Sequence, residues 1–418
     1  MATNTTFQAW RRNPLLRLRA VRQQIRSSLW FAPAVGALLA LVAAYLLAWL
    51  DHRARGHQAW MFDGGPESAR ALLSTIASSM LTFTALVFSI TILALQLASN
   101  QFSPRVIRTF LEDRITKIAI AVFVGTFVYA VAVLSKVRSF PERFVPAIAT
   151  WTGLLLVLVS IGVFIQYVHR MAHSIRVITI ITKVAAETRR GIEHELERAA
   201  RHVGRGSETG VPVGAPDAVL HHRGDPGVLT FVDTRRLVEL ATRAGSRFEL
   251  LPRIGDFVPT GYEVLHIWGK HGNEANCSAA LGFDIERTPD QDPAFGFRQL
   301  VDIALRAVSP GINDPSTAVQ ALDHIHDLLR RLAVRDLRRP PYCDADGIVR
   351  LTVRHRSYSD FVHLAFDELR DYGATSEQVT HRIRLALHDC LSVATEDNRA
   401  VLREQLELLE RRAAQVRH

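Results

Sequence analysis

The sequence predicts an α-helical membrane domain of four transmembrane helices, followed by a C-terminal cytoplasmic α+β domain. In that second domain a small β-sandwich-like element precedes a helical region. Two observations lead to this fold class. Four long apolar runs lie within the first 168 residues, and none contains an Asp, Glu, Lys, Arg or His. Each is long enough to cross a hydrocarbon core of about 30 Å as a helix. About 250 mostly polar residues then follow with no comparable run.

The four predicted spans cover residues 29–50, 71–99, 118–134 and 145–168, and together they form a transmembrane domain over 29–168. Lys and Arg are more frequent before the first span, between spans two and three, and after span four than in the other two loops. Cytoplasmic loops of membrane proteins carry such an excess. Both termini are therefore predicted to lie in the cytoplasm.

The basic residues indicate contact with a lipid surface. Residues 1–28 mix six arginines with aliphatic and aromatic side chains, which is typical of a basic segment lying on the inner leaflet. The chain has a net charge of +9, and the charges are dispersed, with many beside the membrane spans. This distribution fits anionic lipid headgroups better than a phosphate-binding groove. The predicted partner is the lipid bilayer, and nucleic acid is not expected.

The second span is unusually long and rich in hydroxyl groups. Its 29 residues would extend about 43 Å as a helix. Thr75, Thr82, Ser89 and Gln96 recur every seven residues, a spacing that keeps side chains on one seam of a supercoiled helix. Two interpretations are open: a helix–helix interface, where small side chains allow close approach, or a pore-facing stripe in a homo-oligomer.

Amphipathic spacing after the fourth span predicts a helical stalk over 169–202, and the Gly- and Pro-rich residues 203–227 predict a linker. The cytoplasmic domain then covers 228–418. Residues 228–267 resemble the small β-sandwich hybrids of biotinyl and lipoyl carriers in the turn from Gly255 to Gly261, but the attachment lysine is missing. Alternation, caps and turns predict strands at 228–232, 248–253, 257–268 and 348–354, and helices from 233, 295, 314, 358, 375 and 397.

The densest polar segment, residues 284–317, contains the candidate site. If its side chains converge, they would bind an ion or a polar ligand. The competing interpretation is structural: Asp314 would cap a helix, and Arg287 would pair with an acid to hold two helices together. Both interpretations apply to the same six candidates, which are Arg287, Gln291, Asp292, Asp302, Asn313 and Asp314.

Other chemistry is not indicated. The three cysteines are far apart with no CxxC, and the 17 histidines show no HExxH spacing, so neither a disulfide framework nor a metal site is expected. No Gly-rich phosphate loop follows a strand, and no nucleophile is paired with a base. The sequence therefore names no catalytic residue, no cofactor and no metal, and an enzyme is the least favoured class.

The segment from Gln96 to Arg105, taken together with residues 284–317, resembles the bacterial predicted membrane proteins grouped as "domain of unknown function 2254". The resemblance covers most of the chain. It implies a multi-pass protein of the bacterial inner membrane, and it adds no reaction and no functional residue.

The sequence leaves two functional hypotheses. Four spans are few for a secondary transporter but sufficient for an oligomeric channel gated by its cytoplasmic domain. The alternative is a membrane-anchored sensor or assembly factor that binds a ligand or partner through that domain.

Overall fold

The computed structural model describes residues 30–53, 65–101, 114–137, 144–174, 176–201, 214–269, 274–285, 287 and 292–416. These residues form two compact units, one ending at Arg176 and the other beginning at Val177. The predicted interfacial segment 1–28 lies outside the described residues.

The first unit contains the four long apolar helices that the sequence predicts. Among the described residues, four helices are long and apolar enough to cross a membrane. Their bounds differ from the apolar runs by a few residues, because polar residues extend the helices beyond the apolar core. They are α1 (Phe31–Arg53), α2 (Pro66–Gln101), α3 (Arg114–Leu134) and α4 (Ala147–Ser174).

Helix α3 packs against the other three helices and is the most buried of the four. Its contact with α1 is close because small residues face each other. A Cβ added to Gly36 would lie 2.7 Å from the carbonyl oxygen of Ala121, and one added to Gly125 would lie 3.2 Å from the carbonyl oxygen of Gly36. The two backbones therefore approach as they do in small-xxx-small pairs of membrane helices.

Buried polar groups connect the remaining helices. The hydroxyl of Tyr129 on α3 donates to the carbonyl of Ala149 on α4 at 2.8 Å. The hydroxyls of Tyr167 on α4 and Thr91 on α2 lie 2.8 Å apart. Asp51, just past the first predicted span and near the end of α1, is 2% exposed. Its two carboxylate oxygens accept the backbone N–H groups of residues 148 and 149 at 3.0 Å, so it caps the start of α4.

The second unit begins with the amphipathic helix α5 (Val177–Arg201), within the predicted stalk. Eight strands follow: β1 (Ala218–His221), β2 (Gly227–Val232), β3 (Arg247–Leu250), β4 (Phe257–Val258), β5 (Glu263–Trp268), β6 (Leu281–Asp284), β7 (Tyr342–Cys343) and β8 (Val349–Val353). The helices are α6 (Thr234–Ala244), α7 (Glu274–Ser278), α8 (Pro293–Ala307), α9 (Pro315–Ala333), α10 (Tyr358–Tyr372), α11 (Glu377–Val393) and α12 (Glu396–Val416).

The strands form two sheets, with orders β1-β5-β3-β8-β7 and β4-β2-β6 in the described residues. Both sheets contribute to one hydrophobic core, in which Leu229 of one sheet and Phe248 and Leu265 of the other are buried. The α+β class with a small sandwich is confirmed. Strand β8 is the predicted strand 348–354, and it pairs in parallel with β3 of the sheet before the helical region. Strands β1, β6 and β7 lie outside the predicted strands, and β1 lies inside the predicted linker.

The helices pack in a layer in which α8 contacts α5, α9 and α10. Helix α5 presents a buried face that includes Ile181, Val184 and Thr188. A Cβ added to Gly296 of α8 would collide with the side chain of Thr188. Glycine at this position therefore sets how closely α5 lies against α8.

Candidate functional site

The start of α8 joins two segments that are distant in the sequence. Arg287 donates from Nε and Nη2 to the same carboxylate oxygen of Asp292, at 2.8 and 2.6 Å. Gly255, in the turn before β4, lies directly against this ion pair. Gly255 has a φ of +91°, a conformation that side chains with a Cβ rarely adopt. The Gly-Asp turn and the polar segment thus form one cluster.

The charges in this cluster alternate. Asp292 is 4% exposed, and burial raises the pKa of its carboxyl group, while the guanidinium of Arg287 opposes that rise. Arg253 pairs with Asp360 at 3.1 Å, and Arg356 pairs with Asp256 at 3.3 Å. Asp292 precedes α8 but makes no side-chain bond to its first turn, because its oxygen is bonded to Arg287 instead.

Asp302 lies elsewhere, on the face of α8 that meets α10. Nε of Arg298 donates to Asp302 at 2.6 Å, and the same guanidinium makes two bonds to Glu368 of α10. These carboxylates raise the pKa of Arg298, so it remains charged. The three residues hold two helices together, a structural role that the sequence predicts for Arg287 and not for Arg298.

Asn313 and Asp314 lie beyond the end of α8. Asn313 has a φ of +50° in the turn between α8 and α9, a conformation that asparagine tolerates better than most residues. Asp314 caps α9: it accepts bonds from the hydroxyl and the backbone N–H of Thr317 at 2.6 and 3.1 Å. These bonds lower the pKa of Asp314. Its role here is that of a helix cap.

The six candidates are therefore divided. The structure brings Arg287 and Asp292 together, places Asp302 on another face of α8, and places Asn313 and Asp314 past its far end. Because α8 has 15 residues, its ends lie about 22 Å apart. Gln291 lies outside the described residues.

The seven-residue stripe of α2 faces away from the other membrane helices. Thr75, Thr82, Ser89 and Gln96 are all exposed in the first unit. The hydroxyls of Thr75 and Thr82 donate to carbonyls one turn earlier, at 2.8 and 3.1 Å. The opposite face of α2 is buried in the bundle. The stripe is thus not part of the packing among the described helices of the first unit.

Within the described ranges, no group of three or more His, Cys, Asp or Glu side chains is arranged to hold a metal ion. The cluster at the start of α8 contains residues that sequence reasoning did not select, namely Arg253, Asp256 and Arg356. A usable signal was the run Arg354-His355-Arg356, which places three basic residues at the end of the predicted strand 348–354.

Comparison with known proteins places this architecture in a family. The family model described as "Predicted membrane protein (DUF2254)" matches residues 26–389. The chain belongs to this family. Uncharacterised proteins of Mycobacterium bovis and of Mycobacterium tuberculosis are each 33% identical over 371 residues, an alignment that covers 86% of this chain and 71% of each relative. No solved structure gives a significant match to this DUF2254 protein.

Proposed function

We propose that this DUF2254 protein is an oligomeric channel of the bacterial inner membrane, with both termini in the cytoplasm and with a cytoplasmic domain that gates it. The observation that carries the proposal is the exposed stripe of α2. In a membrane helix, hydroxyl and amide side chains on an outward face are best accommodated by another helix or by water. In a homo-oligomer whose subunits point this face toward the centre, the stripe would contact either a neighbouring helix or water.

The bonding of the stripe is compatible with a water-filled path. Thr75 and Thr82 use their protons in bonds to their own helix, so toward any further partner their hydroxyl oxygens act as acceptors. Such oxygens can replace part of the hydration shell of a cation. The four predicted spans contain no Asp, Glu, Lys, Arg or His, so a proton relay or a charged filter is not proposed.

A short segment of chain connects the last span to the second unit, which would allow that unit to gate the channel. Helix α4 ends at Ser174 and α5 begins at Val177, so only two residues separate the last span from the first helix of the second unit. Helix α5 in turn packs on α8 and α9. A change in how the second unit holds α5 would therefore act on the residues next to the fourth span.

Flux through liposomes tests the channel. Purified protein should conduct a small ion, and Thr82→Leu should change the rate by about tenfold because it replaces a polar lining group with a bulky apolar one. Thr182→Leu is the matched control. Thr182 is also an exposed threonine that donates to the carbonyl four residues earlier, at 2.7 Å, but it lies on α5.

Two outcomes oppose the proposal. If the wild-type protein passes no ion or osmolyte, it is not a channel. If Thr82→Leu abolishes assembly, measured as the mass of the detergent-solubilised complex, the stripe is an interface rather than a pore lining.

The second candidate is a membrane-anchored sensor or assembly factor, and the cluster at the start of α8 favours it. A buried carboxylate with a raised pKa beside several arginines is common at binding sites. This function predicts ligand-dependent thermal stabilisation in a protein that shows no flux.

A further inference from the structure

Two adjoining cavities lie in the second unit, and they share one wall. The inner cavity, of about 130 Å³, lies among α5, the start of α8 and the end of β8. The outer cavity, of about 890 Å³, lies between the end of β8 and α12. The common wall contains Arg339, His355 and Arg356. None of these three residues belongs to the polar segment 284–317, although Asp292 of that segment also lines the inner cavity.

The inner cavity is basic, whereas the outer one is balanced. Four arginines and two carboxylates line the inner cavity, and three arginines and three carboxylates line the outer one. Arg339 is held firmly, because it donates to the carbonyl of Glu195 at 2.7 Å and pairs with its carboxylate at 3.1 Å. The lining of the inner cavity therefore contains more arginines than carboxylates, and Arg253 and Arg356 pair with Asp360 and Asp256, which lie outside that lining.

Two buried nitrogen atoms on the common wall have no partner. Nε2 of His355 and Nε of Arg356 are inaccessible to solvent and make no hydrogen bond in the part of the chain that the structure describes. The Nε–H of arginine can only donate. Leaving such a buried donor unpaired is costly, so its persistence calls for an acceptor. Both residues line both cavities, so one ligand at the common wall can contact both side chains.

We propose that this wall binds a phosphate group, with Arg356 and His355 donating to its oxygens and Arg339 adding charge. Guanidinium groups match the geometry of phosphate oxygens, and these charge-assisted bonds are strong. The inner cavity resembles in volume one of about 150 Å³ that holds benzene, so a phosphate group fits there. The outer cavity then receives the rest of an organic phosphate.

Because α5 also lines the inner cavity, a ligand at this wall would affect the packing of α5. Gly191, Ile192 and Glu195 of α5 line the inner cavity. A ligand there would contact the helix that directly follows the last span, and would hold it in its packed position. This binding stands independently of the proposed channel, since it needs no flux.

Calorimetry on the purified full-length protein, with inorganic phosphate and a nucleoside monophosphate as probes, tests the site. Arg356→Lys keeps the charge but removes the unpaired Nε–H, and should weaken binding about tenfold. Arg331→Lys makes the same chemical change on α9, where the arginine pairs with Asp327 and lines neither cavity, and should leave binding unchanged. His355→Leu, the second variant, should weaken binding by a similar factor.

The outcomes are distinct. Tighter binding of the nucleotide than of phosphate would identify an organic phosphate, and equal binding would identify the free ion as the ligand. No binding of either probe in the millimolar range would overturn the proposal. So would equal affinities for the wild type and for both wall variants, provided that thermal unfolding shows all of them to be folded.

Discussion

Gly255 combines two constraints at a single residue. Its φ of +91° disfavours any side chain, and its Cα faces the ion pair of Arg287 and Asp292. Gly255→Ala should therefore break that pair and leave a buried carboxylate without its partner, at a cost of about 3–5 kcal/mol. Thermal unfolding of the full-length protein in detergent, followed by circular dichroism, would measure the loss.

A substitution at Gly261 tests the backbone constraint alone, without a contact to the ion pair. Its φ is +84°, but a Cβ there would meet no atom within 4 Å. Gly261→Ala should cost only the backbone strain, about 1–2 kcal/mol. If both variants lose the same stability, the contact of Gly255 with the ion pair has no energetic role.

The residue scale also shows what the sequence could and could not predict. Asp314 follows a turn and precedes a proline and an amphipathic run, so its role as a cap was readable locally. The pair of Arg298 with Glu368 joins residues 70 positions apart. No local pattern encodes such a partner, because it depends on how α8 and α10 pack. The same reason hid Arg356 and Asp256.

At the scale of the elements, the close packing of α1 against α3 depends on the glycine residues at their contact. Gly36→Val would place branched carbon atoms against the carbonyl of Ala121, which lies 2.7 Å from a Cβ at residue 36. The helices must then separate, at a cost of about 1–3 kcal/mol, because overpacked interiors force backbone shifts. The fraction of protein that stays monodisperse after heating, measured by size-exclusion chromatography, should fall.

Gly162→Val makes the same change in another membrane helix. A Cβ at Gly162 of α4 meets nothing within 4 Å, so after heating this variant should retain the same monodisperse fraction as the wild type. Equal losses for both variants would mean that valine itself, and not the contact of α1 with α3, lowers the stability.

At the same scale, the periodicity of α2 predicted a stripe but not its direction. Seven-residue spacing places Thr82 and Ser89 on one seam. Which way that seam faces depends on the packing of Leu73, Met80 and Val87, which are buried on the other side. Exposure of the stripe is therefore information that only the packed bundle supplies.

For the whole molecule, the packing of α5 on α8 decides how the chain after the last span is held. A Cβ on Gly296 would meet both Oγ1 and Cβ of Thr188, so a change of side-chain rotamer alone does not relieve the collision. Gly296→Ala should loosen α5 by about 1–3 kcal/mol. Amide hydrogen exchange in α5 should become about tenfold faster or more.

Gly311→Ala is the control for that experiment, because a Cβ at Gly311 in the turn before α9 meets no atom within 4 Å. Unchanged exchange in α5 of Gly296→Ala would show that this contact does not hold the helix. If α5 loosens, phosphate should restore slow exchange only where its wall is intact, since Glu195 of α5 and Arg339 meet at the cavity. In the double variant Gly296→Ala with Arg356→Lys, amide hydrogen exchange in α5 should then remain fast even when phosphate is present. That result would show that ligand binding and the packing of α5 are thermodynamically coupled.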